Sequence, residues 1–255
     1  MPLRGAAAWD RPDNGAYTLR GVPQLAKLVF SDIDRTLVFD HDLAPATLAL
    51  IEQVRRRAPF CLVTARSRDE VFELPPIPYD HLLTENGCVI YDGDEMDAEW
   101  DALMTPAQPA LDRLAHELGI VMKRKLRGFA FSLSANGFAD ADVEALQRRL
   151  PAELTSRFST NDRGRFLEVF PAAGGKDRAV QRVAARCGVA PADTAAMGDD
   201  TNDLEMLEVC GFPLTNVEGR ELVQELVRSR GGYVSGAEGH AAAQDLLRRV
   251  LEWAQ

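Results

Sequence analysis

The stretch Leu25-Ala26-Lys27-Leu28-Val29-Phe30-Ser31-Asp32-Ile33-Asp34-Arg35-Thr36 sets an apolar run directly against two acids one residue apart. Leu25 to Phe30 predicts a buried strand that ends at Ser31-Asp32. Where the chain leaves the sheet, both carboxylates face one small volume and repel each other, so a divalent cation is their natural companion. The pair has a second reading, as two acidic turn residues capping a helix. Taken alone, it does not separate the two.

Outward from this stretch, strands alternate with helices. Leu48, Ile51 and Val54 fall at helical spacing behind Pro45 and predict a helix over Pro45 to Arg57. Phe60 to Thr64 reads as a second buried strand, Arg68 to Glu73 as a short helix, and His81 to Thr84 as a third strand. Continuous apolar strands in this order predict an α/β fold, a doubly wound parallel sheet with helices on both faces. After Gly87 the order changes to hairpins and helices: a strand at Val89 to Tyr91, a helix over Ala107 to Leu118, strands at Val121 to Lys125 and Phe129 to Leu133, a helix over Ala141 to Leu150, and strands at Leu154 to Ser159 and Phe166 to Phe170. Alternation resumes with a helix from Lys176 to Cys187, a strand at Thr194 to Met197, a helix over Asn202 to Val209, a short strand at Phe212 to Leu214, and helices near Glu221 to Arg228 and His240 to Trp253. The expected organisation is therefore an N-terminal extension (1–24), a core domain (25–87 and 174–255) and an inserted α+β cap domain (88–173).

In open α/β sheets the ligand crevice lies beyond the carboxyl ends of the strands, so groups distant in sequence converge there. Four clusters sit at such ends or at the start of an adjacent helix. At the first, one carboxylate of Asp32 and Asp34 is a competent nucleophile toward phosphorus, and the other can protonate a leaving alkoxide and then activate water. At the second, Val63-Thr64-Ala65-Arg66, a hydroxyl precedes free backbone N–H groups and suits phosphate, although it also reads as a helix N-cap. At the third, Gly174-Gly175-Lys176-Asp177, a cation opens a helix, where the dipole disfavours it, so Lys176 is aimed at a partner. The spacing and Asp177 exclude a nucleotide P-loop. The fourth, Gly198-Asp199-Asp200-Thr201-Asn202-Asp203, packs three acids into five residues; capping accounts for one of them.

At 255 residues with 46% hydrophobic side chains, the chain can bury a full core. A formal net charge of -10 opposes nucleic acid or an anionic membrane as partner, while a local cation and a few Lys or Arg still admit an anionic substrate. Cys61, Cys88, Cys187 and Cys210 form no CxxC pair and read as thiols in a reducing compartment. No apolar run approaches a membrane span and the first two dozen residues lack the apolar centre of a secretory signal, so cytoplasmic residence is the expectation.

In these four clusters the sequence resembles the haloacid dehalogenase-like superfamily from about Lys27 to the C-terminus. Glu85-Asn86-Gly87 and the insertion resemble the subgroup with a large α/β cap, which includes sucrose phosphatase, trehalose-phosphate phosphatase, mannosyl-3-phosphoglycerate phosphatase and phosphomannomutase. The resemblance implies a Mg2+-dependent phosphatase acting on a small phosphorylated metabolite, a sugar phosphate or glycosyl phosphoglycerate. In that reading Asp32 is nucleophile and metal ligand. Asp34 is the acid/base and gives its backbone carbonyl to the metal. Asp199 is a further ligand, with Asp200 and Asp203 behind it. Thr64, Lys176 and Asn202 hold the phosphoryl oxygens. Arg35 stands where the family most often has Gly. Candidates for substrate contact are Glu85, Asn86, Arg66, Lys123 and Lys125; alternation sends Lys123 and Lys125 to one strand face, which is either turned to the site or merely solvated. A phosphomutase needs the same residues, and a non-catalytic sugar-phosphate sensor is the alternative of another class.

Overall fold

The structure, a computed structural model, describes residues 9–10, 18–19, 27–161 and 164–255. The expected extension (1–24), with Leu25 and Ala26, lies outside the described residues except for two short antiparallel strands, β1 (Trp9–Asp10) and β2 (Thr18–Leu19).

The chain then runs β3 (Leu28–Ser31), α1 (Pro45–Arg55), β4 (Phe60–Val63), α2 (Arg68–Phe72), β5 (His81–Thr84), β6 (Val89–Asp92), β7 (Glu95–Met96) and α3 (Ala98–Met104). Next come α4 (Gln108–Leu118), β8 (Lys123–Arg124), β9 (Phe129–Ser132), α5 (Asp140–Arg149), β10 (Leu154–Asn161) and β11 (Gly164–Pro171). It closes with α6 (Lys176–Arg186), β12 (Thr194–Met197), α7 (Leu204–Val209), β13 (Phe212–Asn216), α8 (Glu221–Ser229), β14 (Tyr233–Ser235) and α9 (Gly239–Trp253). The large sheet has the order β14-β13-β12-β3-β4-β5-β6-β7, parallel from β14 to β5.

Both faces of that sheet are covered, and each strand shows it residue by residue. Val29, Phe60, Leu62, Ala195 and Met197 pack with Ile51 and Val54 of α1 and Leu246 and Val250 of α9. Their strand neighbours Leu28, Phe30, Cys61, Val63 and Ala196 pack the other way, with Val180 of α6, Leu207 of α7 and Val223 of α8. A period of two between two apolar layers is why these strands read as unbroken apolar runs. The doubly wound architecture follows.

The smaller sheet, β10-β11-β9-β8, is antiparallel, with α4 and α5 on one face only. Leu111, Leu114, Val143 and Leu146 meet Phe129, Phe131, Leu167 and Val169 there. Glu168, between Leu167 and Val169, must point to the opposite face, toward the large sheet's crevice.

Three expectations need correction. Residues 88–96, assigned above to the insertion, form β6 and β7 of the large sheet. The turn Glu85-Asn86-Gly87 is so tight (φ 55, 54 and 81) that Val89 pairs directly with Thr84, so the chain has no length in which to leave the sheet. The strand expected over Val121 to Lys125 shrinks to Lys123–Arg124, because Val121 is 79% exposed and its N–H and carbonyl are bonded to the Asn136 side chain instead of a neighbouring strand. Helix α3, capped by Asp97, and strand β14 were not anticipated.

Gly87, in the turn from β5 to β6, lies against Gly175, where the chain returns from the smaller sheet to the large one. A Cβ on Gly87 would fall 2.5 Å from the Gly175 carbonyl oxygen, at a φ that side chains rarely adopt. Gly87→Ala should therefore destabilise the fold by more than about 1 kcal/mol, lowering Tm by at least ~3 °C in a calorimetric scan; an unchanged Tm would show that the two segments can separate freely.

At the other end of β5, His81 Nδ1 meets Asp92 Oδ1 at 2.6 Å across the β5–β6 ladder. Burial opposes charge on the ring, but Asp92 and the Cys187 sulfur outweigh it and raise His81 from 6.5 to about 9. A raised folded-state pKa gives stability that is complete below 6.5 and lost as pH climbs through 9. That contribution is on the order of 3 kcal/mol at ~1.4 kcal/mol per pKa unit. Urea unfolding should show wild-type stability falling across pH 6.5–9, with a visibly flatter dependence in His81→Gln.

Candidate active site

Asp32 continues β3 by one residue: its N–H donates to the Met197 carbonyl at 2.9 Å, so the ends of β3 and β12 carry Asp32 and Asp199 to the same place. Lys176 begins α6 from behind them and is 1% exposed. Its Nζ donates to Asp32 Oδ1 (2.7 Å) and to Asp203 Oδ1 (2.5 Å). The other oxygen of Asp203 accepts from the backbone N–H groups of Asp199 and Asp200, each at 3.0 Å. Gly198 makes this approach possible, since a Cβ there would lie 2.5 Å from the Asp203 carboxyl carbon. Asp200 caps the short turn over Thr201–Asp203 and accepts from Thr201 N–H at 2.7 Å.

Burial is the largest influence on Asp32 and, with repulsion from Asp203 and Asp34, it pushes that carboxyl up to about 8 against the opposing charge of Lys176. Asp199 is likewise held well above the carboxylate range by burial and by its acidic neighbours, with Arg35 opposing. Burial would strip the Lys176 proton, but Asp203 and Asp32 outweigh it and keep the ammonium charged. The cluster therefore holds more negative charge than its own cations satisfy. Carboxylate oxygens of Asp32, Asp199 and Asp203 lie within 4.8 Å of one another, all buried, and Asp200 Oδ2 is buried without a partner. Hard oxygen donors short of positive charge suit a divalent cation such as Mg2+. Asp203 is already spent on Lys176 and two N–H groups, which leaves Asp32 and Asp199 as the side chains to hold it.

Thr64 ends β4, 1% exposed, and its Oγ1 accepts from Arg66 N–H at 3.1 Å. Arg66 grips Asp34 with two parallel bonds, Nε to Oδ2 at 2.7 Å and Nη2 to Oδ1 at 2.6 Å. Behind it, Ser67 and Glu70 form a capping box at the start of α2. Asn202 Nδ2 donates to Asn86 Oδ1 at 3.1 Å, leaving Asn86 Nδ2 buried without a partner. Asp32, Asp34, Thr64, Arg66 and Asn202 line a cavity of ≈ 40 Å³, closed above by Lys125, Ser159, Thr160 and Glu168 of the smaller sheet.

The remaining sequence candidates fall elsewhere. Glu85 is buried, and its carboxylate accepts from Leu126 N–H (2.9 Å) and Arg127 N–H (2.7 Å); it fastens the smaller unit to the β5 turn and does not line the cavity. Lys123 and Lys125 do share a face, as alternation predicts. Lys123 Nζ pairs with Glu70 at 2.8 Å near the surface. Lys125 is buried and its charge is met by Glu168 at 2.6 Å, with a second bond to the Ala65 carbonyl at 2.6 Å. Arg35 stands at φ 57, which accounts for glycine being usual there; its Nε reaches Asp199 Oδ2 at 3.3 Å and so points away from the cavity.

Sequence reasoning missed Glu168, Ser159, Thr160 and Arg220. A signal existed for Glu168, the one acid inside the alternating Phe166-Leu167-Glu168-Val169-Phe170 run. None existed for Arg220, which links Asp200 (3.3 Å) to Thr160 (3.1 Å) across the two sheets.

Comparison with known proteins agrees with this geometry. The profile of the haloacid dehalogenase-like hydrolase family matches residues 130–228. Phosphoglycolate phosphatase of Halobacterium salinarum is 27% identical over 139 residues, 52% of this chain and 57% of its own, so the chain spans little more than half the length of that relative. Phosphoglycolate phosphatase of Methanothrix thermoacetophila is 25% identical over 231 residues, 88% of this chain and 98% of its own. Among solved structures, the sucrose-phosphatase of Synechocystis, in complex with sucrose and phosphate, superposes with a TM-score of 0.72 at 20% identity, covering 89% of this chain and 98% of the other. A haloalkanoate-superfamily phosphatase of Bacteroides thetaiotaomicron gives 0.67 at 17% identity, covering 91% and 97%. Residues 130–228 thus resemble the haloacid dehalogenase-like hydrolases, and the fold as a whole is that of these solved phosphatases.

Lys176→Met would leave Asp32 and Asp203 buried without their cation. Removing one partner of such a group costs about 3–5 kcal/mol, so this variant should show a lowered urea midpoint. If its midpoint matches wild type, Lys176 does not hold the two acids together.

Proposed function

We propose that the protein is a Mg2+-dependent phosphatase that hydrolyses a small phosphorylated metabolite through an aspartyl-phosphate intermediate on Asp32. The observation that carries this is Asp32 held by Lys176 beside Asp34 in a polar cavity. Asp32 Oδ2, the oxygen Lys176 does not bind, attacks phosphorus; the leaving oxygen takes a proton from Asp34, and Asp34 then draws a proton from the water that cleaves the acyl phosphate. Lys176, the Thr64 hydroxyl and Asn202 donate to the phosphoryl oxygens. Asp32 and Asp199, with the Asp34 carbonyl, would hold Mg2+, which would supply positive charge to offset repulsion between carboxylate and phosphate.

Arg66 has a role in this scheme. Clamped as it stands, it occupies both carboxylate oxygens of Asp34, which the acid/base role needs free. An anionic substrate competes for the guanidinium and releases Asp34 toward the leaving oxygen. The smaller unit we read as a cap that closes over the site and chooses the leaving group. A second cavity of ≈ 300 Å³ adjoins the first, shares Arg66, Glu70, Lys125 and Glu168 with it, and is walled by Met122, Phe131 and Phe166. Mixed polar and apolar walls of that extent suit a sugar, whose C–H faces pack on rings while its hydroxyls bond. We therefore favour a sugar phosphate or glycosyl phosphoglycerate over phosphoglycolate.

The test is phosphate release from a panel of phosphorylated sugars, glycosyl phosphoglycerates and phosphoglycolate with Mg2+. Asp32→Asn should lower kcat by at least about 1,000-fold. Asp34→Asn should release one equivalent of a good leaving group in a burst and then stall as phosphoenzyme; no burst, with Mg2+ binding intact, sinks the role given to Asp34. Isomerised sugar phosphate without free phosphate would make the protein a mutase, and binding without turnover a sensor.

A further inference from the structure

Arg35 plays no part in the chemistry proposed above, yet its charge is fixed against a residue that chemistry needs. Its Nε stands 3.3 Å from Asp199 Oδ2, and its Nη2 donates to the Glu218 carbonyl at 3.2 Å. The backbone beneath is pinned on both sides: the Arg35 N–H donates to the Val38 carbonyl at 2.8 Å, and the Arg35 carbonyl accepts from Asn216 Nδ2 at 3.1 Å. Asp199 is held as firmly. Its carbonyl accepts from Arg220 N–H at 2.8 Å, and its Oδ1 accepts from the Thr36 hydroxyl at 3.3 Å. The two side chains are therefore kept together by backbone that has little freedom to part them.

From this geometry we propose that Arg35 competes with Mg2+ for the Asp199 carboxylate and so holds down the metal affinity of the site. The inference rests on Asp32 and Asp199 being the metal-holding side chains, as proposed above. A cation taken by Oδ2 has to displace the guanidinium. A cation taken by Oδ1 leaves that pair intact but lies close to the same positive charge, and like charges so near repel. Either way the affinity falls. By linkage the effect is mutual, so bound Mg2+ weakens the Arg35–Asp199 pair by the same factor.

The two cations beside Asp32 and Asp199 differ in whether they can leave. Lys176 is 1% exposed and bonded to two carboxylates, so moving it away would strand buried charge. The Arg35 side chain is 37% exposed, and it keeps the Glu218 carbonyl when Asp199 lets go. Water replaces the lost contact at small cost, as it does for exposed ion pairs generally. Arg35 is thus a competitor that the metal overcomes. Occupancy of the site follows free Mg2+ over a range in which a site with glycine at this position is already filled.

Isothermal titration of Mg2+ into the substrate-free chain, after stripping with EDTA, tests this without turnover. Arg35→Gln removes the charge but keeps the Cβ, and should tighten Mg2+ binding by at least about fivefold. Arg35→Lys keeps a charge and should stay closer to wild type. Arg35→Gly also relieves the positive φ of 57, and should tighten binding at least as much as Arg35→Gln. Melting curves give a second measure: the rise in Tm on adding a fixed excess of Mg2+ should be larger in Arg35→Gln than in wild type. Equal or weaker binding in Arg35→Gln overturns the role given to Arg35 and leaves the metal site standing. Tightening in Arg35→Gly alone assigns the effect to the backbone and overturns it as well. If neither wild type nor any variant binds Mg2+, the metal site falls and this inference falls with it.

Discussion

One ammonium group, buried where three segments meet, organises the crevice. Lys176 comes from the start of α6, Asp32 from the end of β3, and Asp203 from the turn after β12. None of them can be buried in this way without the others, because an isolated charge in the interior costs far more than any one contact returns. The requirement propagates outward. Asp203 must turn its second oxygen to the Asp199 and Asp200 N–H groups, Gly198 must lack a side chain to let it approach, and Asp199 is thereby set beside Asp32. What remains is a pair of acids whose repulsion is only partly met, a deficit that a bound cation would offset.

The smaller sheet repeats the same logic with less symmetry. Its helix-covered face is largely apolar, with Ser156 bonded to Gln147 of α5, while the face turned to the crevice carries Glu168 and Ser159, with Lys125 against them. Lys125 bonds both Glu168 and the Ala65 carbonyl, so the lid is tied to the loop that follows β4. Arg220 makes a second tie from the other side, between Asp200 and Thr160. These links set the height of the roof over Asp32 and Asp34.

The core was legible because its signals are local. An apolar run ending in Asp-x-Asp, a hydroxyl after a second run and a lysine opening a helix each report a strand end and its chemistry from a few adjacent residues. The architecture above the site was less so. Lys123 and Lys125 are two apart on one face, yet one is solvated and the other buried, a difference made by Glu168 from a strand more than forty residues on. Glu85 looked like a crevice residue from its place beside Asn86, but two N–H groups of a distant turn claim it. Strand β14 is only Tyr233-Val234-Ser235, too short for any periodicity to announce it. The hairpin after Gly87 was assigned to the wrong unit because a tight turn and a crossover look alike in sequence; three successive positive φ angles decide between them.

The closeness of Gly87 and Gly175 has a mechanical meaning. Gly87 turns the chain from β5 into β6, and Gly175 brings it back from the smaller sheet, so the returning segment is seated backbone against backbone on a turn of the large sheet. Trp100, whose ring N–H is bonded to the Gly87 carbonyl, fastens α3 to the same turn, and Glu85, two residues earlier, holds the Leu126 and Arg127 N–H groups. One turn is thus a shared mooring for the outgoing helix, the returning chain and the hairpin between β8 and β9, and a displacement there reaches all three.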